Sequence, residues 1–148
     1  SPSFNARFSA RLRTYVYRIQ TGSSPSPFWS PFAAWWPGDF DVRVINEALS
    51  LFVGKHNFWA FCGGGVPLSE SERTVVSATA EAREPGLVIT VVGTSFLPRM
   101  VRLIVGAVLA YSEGRISLGT LREFLIRPTA KFTHPAPPQG LCLASVTY

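Results

Sequence analysis

One stretch constrains the fold more than any other: the near-continuous apolar run around Arg99-Met100-Val101-Arg102-Leu103-Ile104-Val105-Gly106-Ala107-Val108-Leu109-Ala110. From Arg99 to Glu113 its apolar residues recur at helical spacing. Met100, Val101, Ile104, Val105 and Val108 form one stripe, Pro98 suits the first turn, and Gly114 ends the pattern. The cleanest apolar part, Leu103 to Tyr111, is about half of the ~20 residues that a bilayer span needs. The helix therefore belongs in the core of a globular domain. Within it, Arg102 stands between Val101 and Leu103, beside the stripe rather than opposite it, where an arginine needs an anionic partner. Arg99 and Arg102 are three apart and share a side of the first turn. Positive charge there opposes the helix macrodipole, so stability alone would not select it. It adds to backbone N–H groups that already favour anions. A structural ion pair or a snorkelling side chain accounts for Arg102 equally well at this level.

The rest of the chain gives that helix a sheet to pack on. Arg11 to Thr21 reads as a strand, rich in Thr, Val, Ile and Tyr and ended by Gly22. Asp41 to Phe52 reads as a helix, capped by Asp39 or Asp41, with Gly54 at its C-terminal end. Thr74 to Ala82 alternates, with Val76, Ala78, Ala80 and Ala82 on one face. Pro85-Gly86 turns the chain, and Leu87 to Phe96 completes a hairpin. A shorter helix is expected over Ser117 to Arg127, and a last strand over Leu141 to Tyr148. The order β-α-β-β-α-α-β predicts an α+β fold, a largely antiparallel sheet with helices packed on one face. At 148 residues, 47% hydrophobic and 16% charged, residues 1–148 form a single domain and not a disordered chain. Two cysteines cannot make a disulfide framework. Two histidines without CxxC spacing leave a zinc site the bare minimum of ligands, so no metal is expected. No signal peptide opens the chain, and the absence of an initiator Met suggests a piece of something longer. The Gly63-Gly64-Gly65 run precedes a Ser-rich loop rather than a helix and makes a poor phosphate cradle.

Charge narrows the function. Fourteen basic residues face nine acidic ones, and twelve of the fourteen are arginine, the side chain that pairs phosphate bidentately and stacks on bases. Arg7, Arg11, Arg13 and Arg18 fall in the first twenty residues with no acid among them, an electrostatic footprint suited to nucleic acid. In period two, Arg11, Arg13, Tyr15 and Tyr17 share a face of the first strand. A ring there can stack on a base while arginines hold flanking phosphates. Two tyrosines on a half-buried strand, and a solvated basic face, are the plainer readings.

Four segments, in order, resemble the TruA-type tRNA pseudouridine synthases. Phe4-Asn5-Ala6-Arg7-Phe8-Ser9-Ala10 with Arg13-Thr14-Tyr15-Val16-Tyr17 is similar to F-x-A-R-F-S-A…R-x-Y-x-Y. Gly54 to Phe61 resembles G-x-H-D-F-x-A-F, with Asn57 in place of Asp. Phe96 to Gly106 resembles F-L-x-R-M-V-R-x-I-V-G. Pro135 to Leu143 resembles the closing A-P-P-x-G-L-x-L. The resemblance covers the chain almost end to end and corresponds to the C-terminal part of such a protein.

What it implies is a cofactor-free isomerase that flips a uridine out of tRNA, in the anticodon stem-loop, breaks its C1′–N1 bond and rejoins the base through C5. By the same resemblance Tyr15 stacks on the flipped base and helps remove the C5 proton. Arg102 pairs with the catalytic aspartate, and Leu141 supplies an apolar wall. Arg7, Arg11, Arg13 and Arg99 are the expected RNA contacts. The catalytic aspartate of the resembled family lies in an R-T-D-x-G-V-H segment that this sequence lacks, and neither Asp39 nor Asp41 has that context. Since the chemistry needs that carboxylate, the chain alone is expected to be inactive, with the catalytic half supplied in cis or trans. The alternative is a synthase-derived module that binds RNA within a ribonucleoprotein without catalysis. A homodimer, no membrane association, and residence in the cytosol or an organelle complete the expectations.

Overall fold

The computed structural model describes residues 11–148. The elements in chain order are β1 (Leu12–Gln20), β2 (Ala34–Trp35), α1 (Val42–Ser50), β3 (Gly54–Asn57), β4 (Glu72–Arg83), β5 (Gly86–Gly93), α2 (Met100–Ser112), α3 (Leu118–Ile126) and β6 (Leu141–Thr147). Single 3₁₀ turns occupy Trp59–Phe61, Leu68–Glu70 and Pro138–Gly140. The six strands form one sheet in the order β3-β4-β5-β1, with β6 and β2 sharing the far side of β1. Among the described strands only the short β1–β2 pairing is parallel. The fold is α+β with a mostly antiparallel sheet, as the sequence predicts, enlarged by the two short strands β2 and β3.

The register explains the core. Tyr17 pairs with Ile89 and Ile19 with Leu87, while Ala80 lies opposite Ile89 on the other side of β5. All five side chains enter one buried cluster with Ile45, Ala48 and Leu49 of α1 and most of α2. Thr14, Arg18, Ser77, Thr79 and Thr90 alternate onto the opposite face. In β4 the expected alternation fails at one point: a register shift between Val75 and Ser77 turns Val75 into the core and leaves Val76 half exposed. A bulge adds one residue to one strand and so inverts the phase of the side chains before it. Ala82, also expected inside, is exposed near the hairpin turn.

Local chemistry sets the helix ends. Asp41 caps α1 by accepting a 2.9 Å hydrogen bond from the Arg43 N–H, and Ser117 caps α3 by accepting one of 3.1 Å from Thr120. The α2 helix is buried nearly all round, beyond the single stripe in the pattern: Leu103, Ala107 and Leu109 are as enclosed as Ile104. Its one charged residue is Arg102. None of the described helices is long and apolar enough to cross a membrane.

Candidate active site

Three segments that are remote in sequence converge at the N-terminal end of α2. Tyr15, in β1, meets Phe96 edge to face, with ring centroids 5.0 Å apart. Beside this pair lies a small open cleft of about 70 Å³, lined by Tyr15, Phe96, Arg99, Met100, Val101 and Leu141 among others. The β1–β6 register shifts between Thr14 and Tyr15, so the ladder is interrupted beside the Tyr15 ring. Bulges are common next to active sites because they re-aim a side chain. Tyr15 and Leu141, both singled out in the sequence, thus face the same cleft.

Arg102 follows Val101 into the first turn of α2 and is held by a hoop of chain over residues 134–138. Its Nε donates to the Ala136 carbonyl at 2.8 Å, and the Ala136 N–H donates back to the Arg102 carbonyl at 2.9 Å. From the other side, the Tyr17 hydroxyl donates to the Pro137 carbonyl at 2.6 Å. Gly106, one turn further along α2, lets the hoop approach: a Cβ there would lie 2.0 Å from the His134 carbonyl oxygen. Burial pushes the Tyr17 phenol well above its ordinary pKa, and the nearby Arg102 charge pulls it back only in part. Tyr17 is therefore a proton-bearing donor near neutral pH, and it joins β1 to the hoop that grips Arg102. The described ion pairs, Arg43–Asp41, Lys55–Glu72, Arg83–Glu81 and Arg115–Glu113, all lie on the exposed surface. Among the described residues no carboxylate pairs with Arg102.

Arg99 differs from its expected place. It is the residue before α2, in left-handed conformation at φ 61° and ψ 6°, alone in this among the described non-glycine residues. Such a conformation costs an arginine about 1–2 kcal/mol, and backbone strain of this kind concentrates at functional sites. Arg99 and Arg102 therefore do not share a helical turn. Arg99 is exposed and lines the cleft, whereas Arg102 turns to the hoop. Arg11 is exposed at the start of β1, and Arg13 donates from Nη1 to the Thr94 carbonyl at 3.2 Å. Arg7 lies outside the described residues. The pattern did not single out the hoop's grip on Arg102 or the role of Tyr17, whose partner is 120 positions away. The only local signal was the pairing of an Arg in an apolar helix with a distant Pro-rich segment.

The family model described as tRNA pseudouridine synthase matches residues 48–148. The chain belongs to that family. Curated relatives of this tRNA pseudouridine synthase family member extend the match upstream. The protein named tRNA pseudouridine synthase A from Geobacillus kaustophilus is 36% identical over 146 residues, 98% of this chain and 57% of the relative. Those of Shouchella clausii and Bordetella petrii are 33% and 32% identical, over 99% and 98% of this chain and 57% and 54% of the relatives. The chain thus spans little more than half the length of the relatives it matches, and the match includes the Tyr15 strand, the Arg102 helix and the Leu141 strand.

Proposed function

We propose that this chain is the active-site-completing C-terminal half of a tRNA pseudouridine synthase that acts on the anticodon stem-loop. One observation carries the reading. Arg102 is fixed through Nε to the hoop, next in sequence to Val101 of the Tyr15–Leu141 cleft, yet the described residues offer its guanidinium no carboxylate. The Nη groups can then receive a carboxylate end-on, in the bidentate geometry arginine favours. That carboxylate comes from the complementary half of the enzyme.

In this reading a uridine flips out of the tRNA and rests on Tyr15, with Leu141 as an apolar wall. The loss of base stacking is offset by contact with the ring, worth about 1–3 kcal/mol. The carboxylate acts as nucleophile or base, and Arg102 holds it ionised and aimed. The C1′–N1 bond breaks, the base turns, and C5 bonds to C1′. The C5 proton leaves with help from Tyr15, N1 takes up a proton, and no oxidant or cofactor enters the balance. Strand β6 supports docking of the other half: among the described strands it pairs with β1 alone, and Leu143 on it is 48% exposed. An open edge of this kind is a template for a further strand. Homodimerisation is assigned to the loop that exposes Phe28 and Phe32.

The test is release of tritium from tRNA carrying [5-³H]uridine. The chain alone should release none. In the complete enzyme Arg102→Ala should abolish release while tRNA affinity falls far less. Unchanged turnover would remove Arg102 from the chemistry and leave an RNA-binding module as the better account.

A further inference from the structure

Next to the cleft is a larger cavity that none of the roles above uses. It measures about 630 Å³, within the range of ligand sites, and its walls include Trp59, Val66, Arg99, Leu103, Lys131 and Phe132. Among the described residues two cations line it and no carboxylate does. The Lys131 ammonium donates to the Trp59 carbonyl at 2.8 Å and to the Cys62 carbonyl at 3.2 Å, and it sits 4.1 Å over the Trp59 ring. A third bond reaches Cys62 Sγ at 3.3 Å. All of these partners are neutral, so no described carboxylate compensates the charge, which acts on the cavity as a field rather than through a free donor. The left-handed turn at Arg99 lays its side chain against the Gly63 backbone, where a Cβ would come within 3.1 Å of Arg99 Cδ. No described residue takes a hydrogen bond from its guanidinium. Apolar side chains, Trp59, Val66, Leu103 and Phe132, make up much of the rest of the wall, with Thr133 and the Gly63–Gly65 backbone also lining it.

We propose that this cavity is a second nucleotide subsite. It would take the nucleotide adjoining the target uridine on the same RNA strand, with their shared phosphate on Arg99. The placement rests on the functional reading above, and Arg99 carries it. Arg99 lines both the Tyr15 cleft and the cavity, so a strand that enters one passes over it toward the other. The volume far exceeds what a lone phosphate fills, and apolar walls beside two unneutralised cations match a base joined to a phosphodiester. The left-handed strain at Arg99 then has a functional cause, since it accompanies the side chain's approach to Gly63 on the cavity wall.

Photocrosslinking tests the subsite on the chain as it stands. Anticodon stem-loop RNAs carrying one 4-thiouridine at each loop position in turn are irradiated with the protein, and the linked peptides are mapped. One position should link to the segments 59–67 or 131–135 while its neighbour links to the Tyr15 strand. In parallel, Arg99→Gln should weaken binding and reduce the log–log salt slope by ~0.7, the value for one phosphate on a single strand, while the cavity-filling Val66→Trp should weaken binding at an unchanged slope. Wild-type binding with crosslinks confined to other segments, or with both variants unchanged in affinity, overturns the subsite and leaves the enzyme reading standing. Absence of salt-dependent binding by the wild type overturns both.

Discussion

Replacing Gly106 with alanine sets two effects of opposite sign against each other. In a helix interior the exchange normally stabilises by about 1 kcal/mol. Here the new Cβ would fall 2.0 Å from the His134 carbonyl oxygen and 3.2 Å from the Ala136 nitrogen, both backbone atoms. The hoop must retreat by roughly 1 Å before that contact reaches even 3.0 Å. The Arg102–Ala136 bonds, at 2.8 and 2.9 Å, then stretch beyond useful length. Losing the charge-assisted one costs about 1.5–3 kcal/mol and the other about 0.5–1.5 kcal/mol. Net destabilisation of about 2–3 kcal/mol follows. With a urea m-value of about 2 kcal/mol/M, the unfolding midpoint falls by about 1 M. Gly119→Ala in α3 is the control: its nearest neighbour would be Ser117 Oγ at 3.7 Å. That variant should gain a few tenths of a kcal/mol, up to about 1. A Gly106→Ala midpoint equal to or above wild type, at unchanged m, would show that the hoop does not press on α2 as described.

Other outcomes follow from the same geometry. Arg99→Gly should raise stability by roughly 0.5–1 kcal/mol in urea unfolding, since relief of left-handed strain outweighs the added freedom of the unfolded chain; it should also weaken RNA binding, and a loss of stability would refute the strain. The raised Tyr17 pKa gives a stability term that is complete below the unfolded value of 10.0 and is lost as pH rises past it toward the folded value. Tyr17→Phe should therefore flatten the alkaline fall in stability by up to ~1.4 kcal/mol per pH unit, and cost about 1 kcal/mol at neutral pH through the unpaired Pro137 carbonyl. An identical alkaline slope would count against it. Arg102→Lys in the complete enzyme should lose tritium release nearly as fully as Arg102→Ala, because a single ammonium cannot hold both the hoop and a bidentate carboxylate. Substantial retained activity would mean that charge alone suffices.

Much of the scaffold was legible because its signals are local. The β4–β5 hairpin, the Ser117 cap and the apolar run of α2 depend on neighbours within a few positions, and all are present. The short strands β2 and β3 were not read, since two to four residues acquire strand identity from partners such as Val75 and Ile19 rather than from a pattern of their own. The Val75/Val76 bulge inverts a phase that alternation alone cannot anticipate. Arg99 looked like a first-turn residue because the apolar periodicity runs straight into it, and nothing in the composition marks a left-handed backbone. At the candidate site, Tyr15, Arg102 and Leu141 could be named as candidates from motifs. The contacts that orient them could not, since backbone carbonyls such as that of Ala136 carry no sequence signature.

The reciprocal bonds between Arg102 and the hoop change when the side chain loses its freedom. A free arginine surrenders roughly 2 kcal/mol of rotamer entropy when it is immobilised. In this chain that loss occurs as the polypeptide folds and the Pro-rich segment closes over α2, before any RNA arrives. In the proposed enzyme, a guanidinium ordered in advance would meet an incoming carboxylate with little further loss of entropy, and the rigidity of a distant loop would then enter the reaction's rate.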